Sequence, residues 1–412
     1  MKNRIFLVIS ALFLLSSTSR PLYAEEKKII TMGSFQALGA FSGIDKGSDL
    51  WGYSFSGSLS PAIKLNSKQY LIPLYSGNYE RMRQYITQEE GGRFYNTTQL
   101  HNLSTSLRTQ HSDEFVSRLT GIATWSLVKE TQDEEFGKGL YDYRDFGAAL
   151  DLRQTLKIND TTQHVYAWGI EYFRRTYPNF KSLISLAAGT APDTAEKDFD
   201  GIKLSFGVEE KLARGISWEF KPSLLLKYFI DKKTIGDDGV LKSGKRRDQL
   251  VSSDLNGYWP FAEGRWVLSD DNTMTYNHSN LDFYDSRGTL ILSDDVFTKG
   301  YYSYFSYRTY PYLTYYHPIG KDKKFALRGG YSFLLRHYPG RKAQESNGAY
   351  TDSKQRDIEH GLHVSSSYPI SKEMSWVNYF DYTWARSNQK YEAFYRYTFN
   401  VFQVQTGISI EF

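Results

Sequence analysis

The chain has 412 residues, a formal net charge of +4, and an aromatic share of 16% made up of 33 Tyr, 26 Phe and 8 Trp. That aromatic load excludes a disordered chain, and the lack of repeated runs of ~20 apolar residues excludes a polytopic helical membrane protein. With 0 Cys, disulfide frameworks, thiolate metal sites and cysteine nucleophiles are excluded as well.

Taken in chain order, residues 1–24 are predicted to be a secretory signal peptide. Lys2 and Arg4 give the charged start, and Ile5–Leu15 is an apolar stretch too short to span a bilayer. Ala24 closes a small-residue cleavage site, although Leu22 is large for its place. Removing Lys2, Arg4 and Arg20 takes three positive charges from the +4 and leaves 25–412 nearly neutral. A near-neutral chain offers no electrostatic case for nucleic acid as a partner.

From residue 30 onward the pattern has a period of two. Strands are predicted at 30–42, 50–65, 68–85, 93–110, 114–130, 141–157, 163–177, 199–212, 215–231, 248–268, 272–285, 301–317, 324–338, 357–370, 374–388 and 392–412. In Ile216–Asp231, Ile216, Trp218, Phe220, Leu224, Leu226 and Tyr228 alternate with Ser217, Glu219, Lys221, Ser223 and Lys227. Such a strand is apolar on one face and charged on the other. Tight links (Asn66-Ser67, His111–Asp113, Ile158–Thr162, Ala213-Arg214, Ser269–Asp271, Pro318–Lys323, Ser371–Glu373) take turns with longer polar ones such as Pro178–Asp198, Lys232–Arg247 and Pro339–Arg356. Only Asn179–Ala188 has a helical look. Most of the runs are far longer than the ~5–6 residues of soluble strands, which disfavours a secreted sandwich. The prediction for 25–412 is an all-β fold: a closed antiparallel transmembrane β-barrel of about sixteen strands, with short periplasmic turns and longer external loops. The alternative count is fourteen, because the first, third and fourth strands alternate poorly.

The chain ends with apolar side chains on alternate positions, Phe402, Val404, Ile408, Ile410 and the terminal Phe412. This ending resembles the C-terminal sorting strand of Gram-negative outer-membrane β-barrel proteins of the porin-like kind. The resemblance implies a place in the outer membrane, among its lipid and lipopolysaccharide, and recognition by the barrel-assembly machinery. As a motif it covers about ten residues and says nothing about cargo.

With apolar residues facing lipid, the inward set is predicted to include Arg118, Asp145, Asp151, Arg153, Glu171, Lys203, Glu209, Lys211, Glu219, Lys221, Lys227, Asp254, Arg308, Arg328, Glu359 and Asp381. An interior of ~16 strands exceeds what side chains fill. The expectation is therefore a water-filled, weakly selective pore with a transverse field; the competing reading is charges that pair and fill the bore. One strand departs from this chemistry. In Tyr301–Tyr316 the inward positions are Tyr302, Tyr304, Arg308, Tyr310 and Tyr312, a candidate track for sugar rings, with aromatic packing as the bland alternative.

The function expected is a channel for passive diffusion of small hydrophilic solutes. A barrel for polysaccharide export or binding is the alternative, and a barrel enzyme acting on lipid the minor one. The enzyme reading rests on His278 and Ser279, whose adjacency sends them to opposite faces of a regular strand. No catalytic residue is assigned, and the chain is read as not an enzyme. His360 and His363 are three apart and also face opposite ways, and Asp231–Gly239 lacks the spacing of a calcium loop. No metal or cofactor is expected. Arg-x-Tyr-Pro at Arg175–Pro178, Arg308–Pro311 and Arg336–Pro339 reads as strand-end punctuation with the Tyr at the lipid boundary.

Overall fold

The computed structural model describes residues 29–412 apart from 46, 48, 88–91, 132, 160, 181–194, 286–295, 321–322 and 394. The signal-peptide segment 1–24 lies outside the described residues, as does most of Asn179–Ala188. The strands are β1 (Ile29–Ile44), β2 (Leu50–Lys64), β3 (Gln69–Arg81), β4 (Gln84–Thr87), β5 (Gly92–Tyr95), β6 (Thr97–Gln110), β7 (Phe115–Lys129), β8 (Tyr143–Lys157), β9 (Gln163–Thr176) and β10 (Phe199–Lys211). They continue as β11 (Ser217–Ile235), β12 (Leu241–Phe261), β13 (Trp266–Ser279), β14 (Phe283–Asp285), β15 (Val296–Thr298), β16 (Tyr304–Pro318), β17 (Lys324–Gln344), β18 (Tyr350–Pro369), β19 (Met374–Ser387) and β20 (Phe399–Glu411).

Sixteen of these form one closed antiparallel barrel; β4–β5 and β14–β15 are separate two-stranded hairpins. Closure comes from β1, which pairs with β2 on one side and with β20 on the other, so that Phe35 lies between Gly57 and Ile410. A closed wall has no free edge. The two-residue period decides which face is which. Leu119, Phe146, Ile170, Leu204, Val251, Met274 and Leu362 stand exposed on the outside. On the inner face polar side chains bond across strands instead, as Ser106 and Thr120 do at 2.8 Å. Along β9–β11 two outward polar groups bracket the apolar belt. Arg174 Nε donates to Asp200 at 2.8 Å at its outer edge, and Trp218 Nε1 donates to Glu210 at 2.6 Å at its inner edge.

The terminal strand is clasped at its last residue. Phe412 N–H donates to Gly33 O at 3.0 Å, and Gly33 N–H to Phe412 O at 2.8 Å. A Cβ on Gly33 would lie 2.5 Å from the Phe412 ring, so the absence of a side chain there lets the ring lie on β1. Ile408, Ile410 and Phe412 share the outward face with Val404.

Several boundaries differ from the sequence reading: β11 runs on to Ile235, β12 and β18 start earlier, at Leu241 and Tyr350, β20 starts later, at Phe399, and three further places change the local structure. The β12–β13 turn is not Ser269–Asp271 but Ala262–Arg265, where Ala262, Glu263 and Gly264 all have positive φ (48°, 58° and 77°). Only Gly264 advertises that conformation in the sequence. The aspartates that looked like a turn sit inside β13, with Asp270 opposite Gly257 and Pro311. Pro339 does not end β17, which runs on to Gln344; the register shifts between His337 and Lys342, and an irregular stretch tolerates a residue without an N–H. Finally, the predicted strands 68–85 and 93–110 each absorb half of the β4–β5 hairpin, which is not part of the wall.

Candidate functional site

The hairpin β4–β5 is the element that shapes the bore. β3 ends at Arg81, and the chain folds onto the inner faces of β1 and β20. Arg83 N–H donates to Ser42 Oγ at 3.1 Å, Gln403 Nε2 donates to Arg83 O, and Gln405 Nε2 approaches Met82 Sδ at 3.6 Å. Gly52 makes the exit geometrically feasible, because a Cβ there would overlap Arg81 O at 1.5 Å.

An aromatic cluster anchors the hairpin. The Tyr85 ring lies 4.4 Å from that of Phe399 and 5.1 Å from that of Phe94, over a buried patch of Ile44, Ala385, Phe399 and Val401. The Tyr85 hydroxyl donates to Arg396 O at 2.9 Å, and burial pushes its pKa up, helped by the carboxylates of Glu359 and Asp357. At the other end Arg93 pairs with Glu130 at 2.8 Å. The hairpin thus reaches from the end of β7, across β1 and β20, to a small polar cavity on β17–β18 lined by Arg336, Tyr338, Asp357 and Glu359.

A belt of arginines between aromatic rings runs round the outer end of the bore. Arg175 lies 3.9 Å from the Tyr143 ring and is held by Asp145 at 2.7 Å. Arg246 sits between Phe229 (4.4 Å) and Tyr302 (4.7 Å) and pairs with Asp248 at 2.6 Å. Arg341 sits between Tyr301 (3.9 Å) and Tyr338 (4.1 Å). Desolvated cation–π contacts of this kind contribute ~2 kcal/mol each. The Arg-x-Tyr reading is corrected here: Tyr338 is buried inside the barrel at 2% exposure, not at the lipid boundary. A spacing of two puts Arg and Tyr on one face, so an inward Arg brings its Tyr inward too.

The opposite wall, β7–β11, is wet. Arg118 pairs with Asp151 at 3.0 Å, Arg153 with Glu209 at 3.2 Å, Lys211 with Glu209 at 3.3 Å and Lys221 with Glu219 at 2.6 Å. Although they point into a closed barrel, the side chains of Arg118, Arg153 and Lys221 are 54%, 53% and 50% exposed. Lys203 lies opposite Glu171 in register. Asp254 accepts from Thr273 Oγ1 at 2.7 Å, and Lys227 reaches over the Phe199 ring at 5.2 Å. Arg308 sits opposite Leu334, whose other neighbour is Glu359. Asp145 departs from this pattern, since it is buried under Arg175.

The four tyrosines of the proposed track fall into two groups. Tyr302 precedes β16 and lies under Arg246, while Tyr304 packs 5.9 Å from Tyr338 and 5.2 Å from Arg336. Tyr310 and Tyr312 are 5.2 Å apart further down the strand, with Arg328 over Tyr312 at 4.5 Å and His363 edge-on to Tyr310 at 5.0 Å. Of the histidines weighed in the sequence, His278 lies on the outward face, opposite Gln249, and its neighbour Ser279 is buried against Ser303; they are not a pair. His360 stacks on Trp384 at 5.1 Å on the outer face, and His363 points inward. No group of three or more His, Asp or Glu side chains suited to a metal ion occurs among the described residues.

A closed sixteen-stranded antiparallel wall, apolar outside and charged within, is the architecture of an outer-membrane β-barrel. No family model and no curated protein matches the chain. Solved structures of similar fold include OccAB1 of Acinetobacter baumannii, with 11% identity, 93% of this chain and 97% of that one covered, and a TM-score of 0.46. They also include OccD3 (OpdP) of Pseudomonas aeruginosa, at 9% identity, 96% of both chains and a TM-score of 0.44. OmpT of Vibrio cholerae in its trimer form is at 9% identity, 94% of this chain, 100% of that one and a TM-score of 0.45. At these identities the likeness concerns fold alone.

Proposed function

We propose that the barrel is a channel for passive diffusion of small hydrophilic solutes, narrowed on one side by the β4–β5 hairpin. The observation that carries this reading is the exposure of about half of the Arg118, Arg153 and Lys221 side chains inside a closed wall. Charges sealed away from water are costly; these keep their hydration, so a water-filled path runs along β7–β11. Charges of both signs face it, which favours weak rather than strong ion selectivity. The hairpin supplies the opposite side of the constriction with aromatic and amide groups.

A second reading has its own observation. Tyr310 and Tyr312 lie 5.2 Å apart with Arg328 over the Tyr312 ring, an aromatic and cationic surface suited to contact with an oligosaccharide. Its partners would be sugars rather than salts. Lipid and lipopolysaccharide are the partners proposed for the outer belt, and the barrel-assembly machinery the one proposed for Phe412. Purified protein in planar bilayers tests the channel: stepwise ion current is expected, and a silent bilayer overturns it. Block of that current by oligosaccharides, relieved by replacing Tyr310 and Tyr312 jointly with Ser, separates the two readings.

A further inference from the structure

We propose that Ser332, His363 and Asp381, on three adjacent strands of the inner wall, form a nucleophilic site that hydrolyses carboxylic esters of hydrophilic alcohols inside the bore. Ser332 Oγ lies 2.9 Å from His363 Nε2, and His363 Nδ1 lies 2.6 Å from Asp381 Oδ1. A carboxylate only accepts, so Nδ1 carries the ring proton and donates it to Asp381. Nε2 is then left as the acceptor for the Ser332 hydroxyl. That is the nucleophile–base–orienter order that activates a serine, recognised by geometry rather than by position in the chain.

The fold makes the arrangement specific. His363 sits opposite Gly330 on β17 and opposite Asp381 on β19. Ser332 is therefore reached diagonally, across Gly361. A Cβ on Gly361 would lie 2.4 Å from Ser332 Oγ and 2.6 Å from His363 Nε2. Any other residue would push into the contact, and a glycine within a strand marks such a close approach. The cluster is wet, with His363 27% and Asp381 36% exposed.

Substrate class follows from the surroundings. Tyr331 beside Ser332 is on the lipid face, so Ser332 faces the aqueous bore and the ester must be water-soluble rather than a bilayer lipid. Thr309 lies opposite Phe333 and Tyr312 opposite Gly330, a register that sets Tyr310 beside Ser332. Its phenol is the donor available to a developing oxyanion, and the Tyr310–Tyr312 ring faces suit a sugar as the alcohol.

In the first half of the reaction Ser332 Oγ bonds to the acyl carbon as its proton passes to His363 Nε2. The ester C–O bond then breaks, and His363 returns the proton to the leaving alcohol. Water attacks the acyl-serine in the second half, again giving its proton to His363, and the Ser332–acyl bond breaks to release the acid and restore the hydroxyl. One ester and one water give one acid and one alcohol.

The test uses the full-length protein folded in detergent, a fluorophosphonate–biotin probe, and 4-nitrophenyl acetate. The expected result is a single phosphonyl adduct mapped to Ser332, with ester turnover lost by about a thousandfold in Ser332→Ala and in His363→Asn. Heat-modifiable mobility shows that each variant is folded, and Ser365→Ala, an inward serine nearby, keeps both labelling and turnover. No adduct on Ser332 in the wild type overturns the proposal, as does equal turnover in a folded Ser332→Ala. Channel conductance is measured apart from both readouts and does not bear on the outcome.

Discussion

The height of the lipid belt can be worked out from β10 and tested residue by residue. The outward polar pairs at Asp200 and Glu210 bound it. Ten residues at ~3.3 Å span about 33 Å along the strand, and a tilt of ~40° makes that about 25 Å of height, the thickness of an outer-membrane apolar band. Leu204 and Phe206 then flank the midplane, whereas Ile202 and Val208 lie near the two edges. Arg at Leu204 or Phe206 should cost ~2–4 kcal/mol relative to Ala at the same site, and Arg at Ile202 or Val208 ~0–1 kcal/mol. Lys203→Leu, on the inner face one residue away, should cost less than Leu204→Arg. The assay is urea unfolding of each variant in liposomes. A flat profile across the four positions, or a maximum at Ile202 or Val208, would show that the two polar pairs do not mark the edges of the belt.

The barrel was legible because its rule is local. Ile202, Leu204 and Phe206 alternate with Lys203, Ser205 and Gly207 whatever the rest of the chain does, and each strand repeats the statement. What was not legible depends on which side of the wall a segment occupies. Gln84–Thr87 and Gly92–Tyr95 carry the same aromatic and polar mixture as a wall strand, so nothing local says that Tyr85 packs on Phe399 from inside. The inward direction of Tyr310 was read from the alternation of its strand; that of Tyr338 could have been read in the same way from its Arg-x-Tyr spacing, but the following Pro drew the reading toward a strand end. The Ser332–His363–Asp381 relay is a case of register alone. Its members are 31 and 18 residues apart in sequence, and a slip of one residue in either pairing would turn His363 outward. His278 and Ser279 are neighbours in sequence, but the pleat sends them to opposite faces. Gly361 was the available hint, a glycine inside a long strand with no turn to explain it.

Deleting Phe412 should lower the heat-modifiable fraction recovered in membranes, because its backbone bonds to Gly33 and its ring covers β1; equal recovery would refute a role in assembly. Glu209→Gln frees Arg153 and Lys211 of their shared carboxylate and should shift the reversal potential toward anion preference in a salt gradient. An unchanged potential would mean these charges do not line the conducting path. Tyr85→Ala tests whether the hairpin is a docked constriction. The Tyr85 ring touches both Phe94 and Phe399, and its hydroxyl holds the Arg396 carbonyl. Truncating a large aromatic costs ~3–5 kcal/mol, most of which falls on the docked form, since an undocked hairpin keeps the contact with Phe94 but loses those with Phe399 and the Arg396 carbonyl. A loss of ~3 kcal/mol multiplies the undocked population by more than a hundredfold. Single-channel records should then show added openings to a larger conductance, and replacing 84–95 with a short Gly-Ser link should make that larger level permanent. If both variants conduct like the wild type, the narrowest part of the path lies elsewhere, and the Arg–Tyr belt at the outer end becomes the place to look for it.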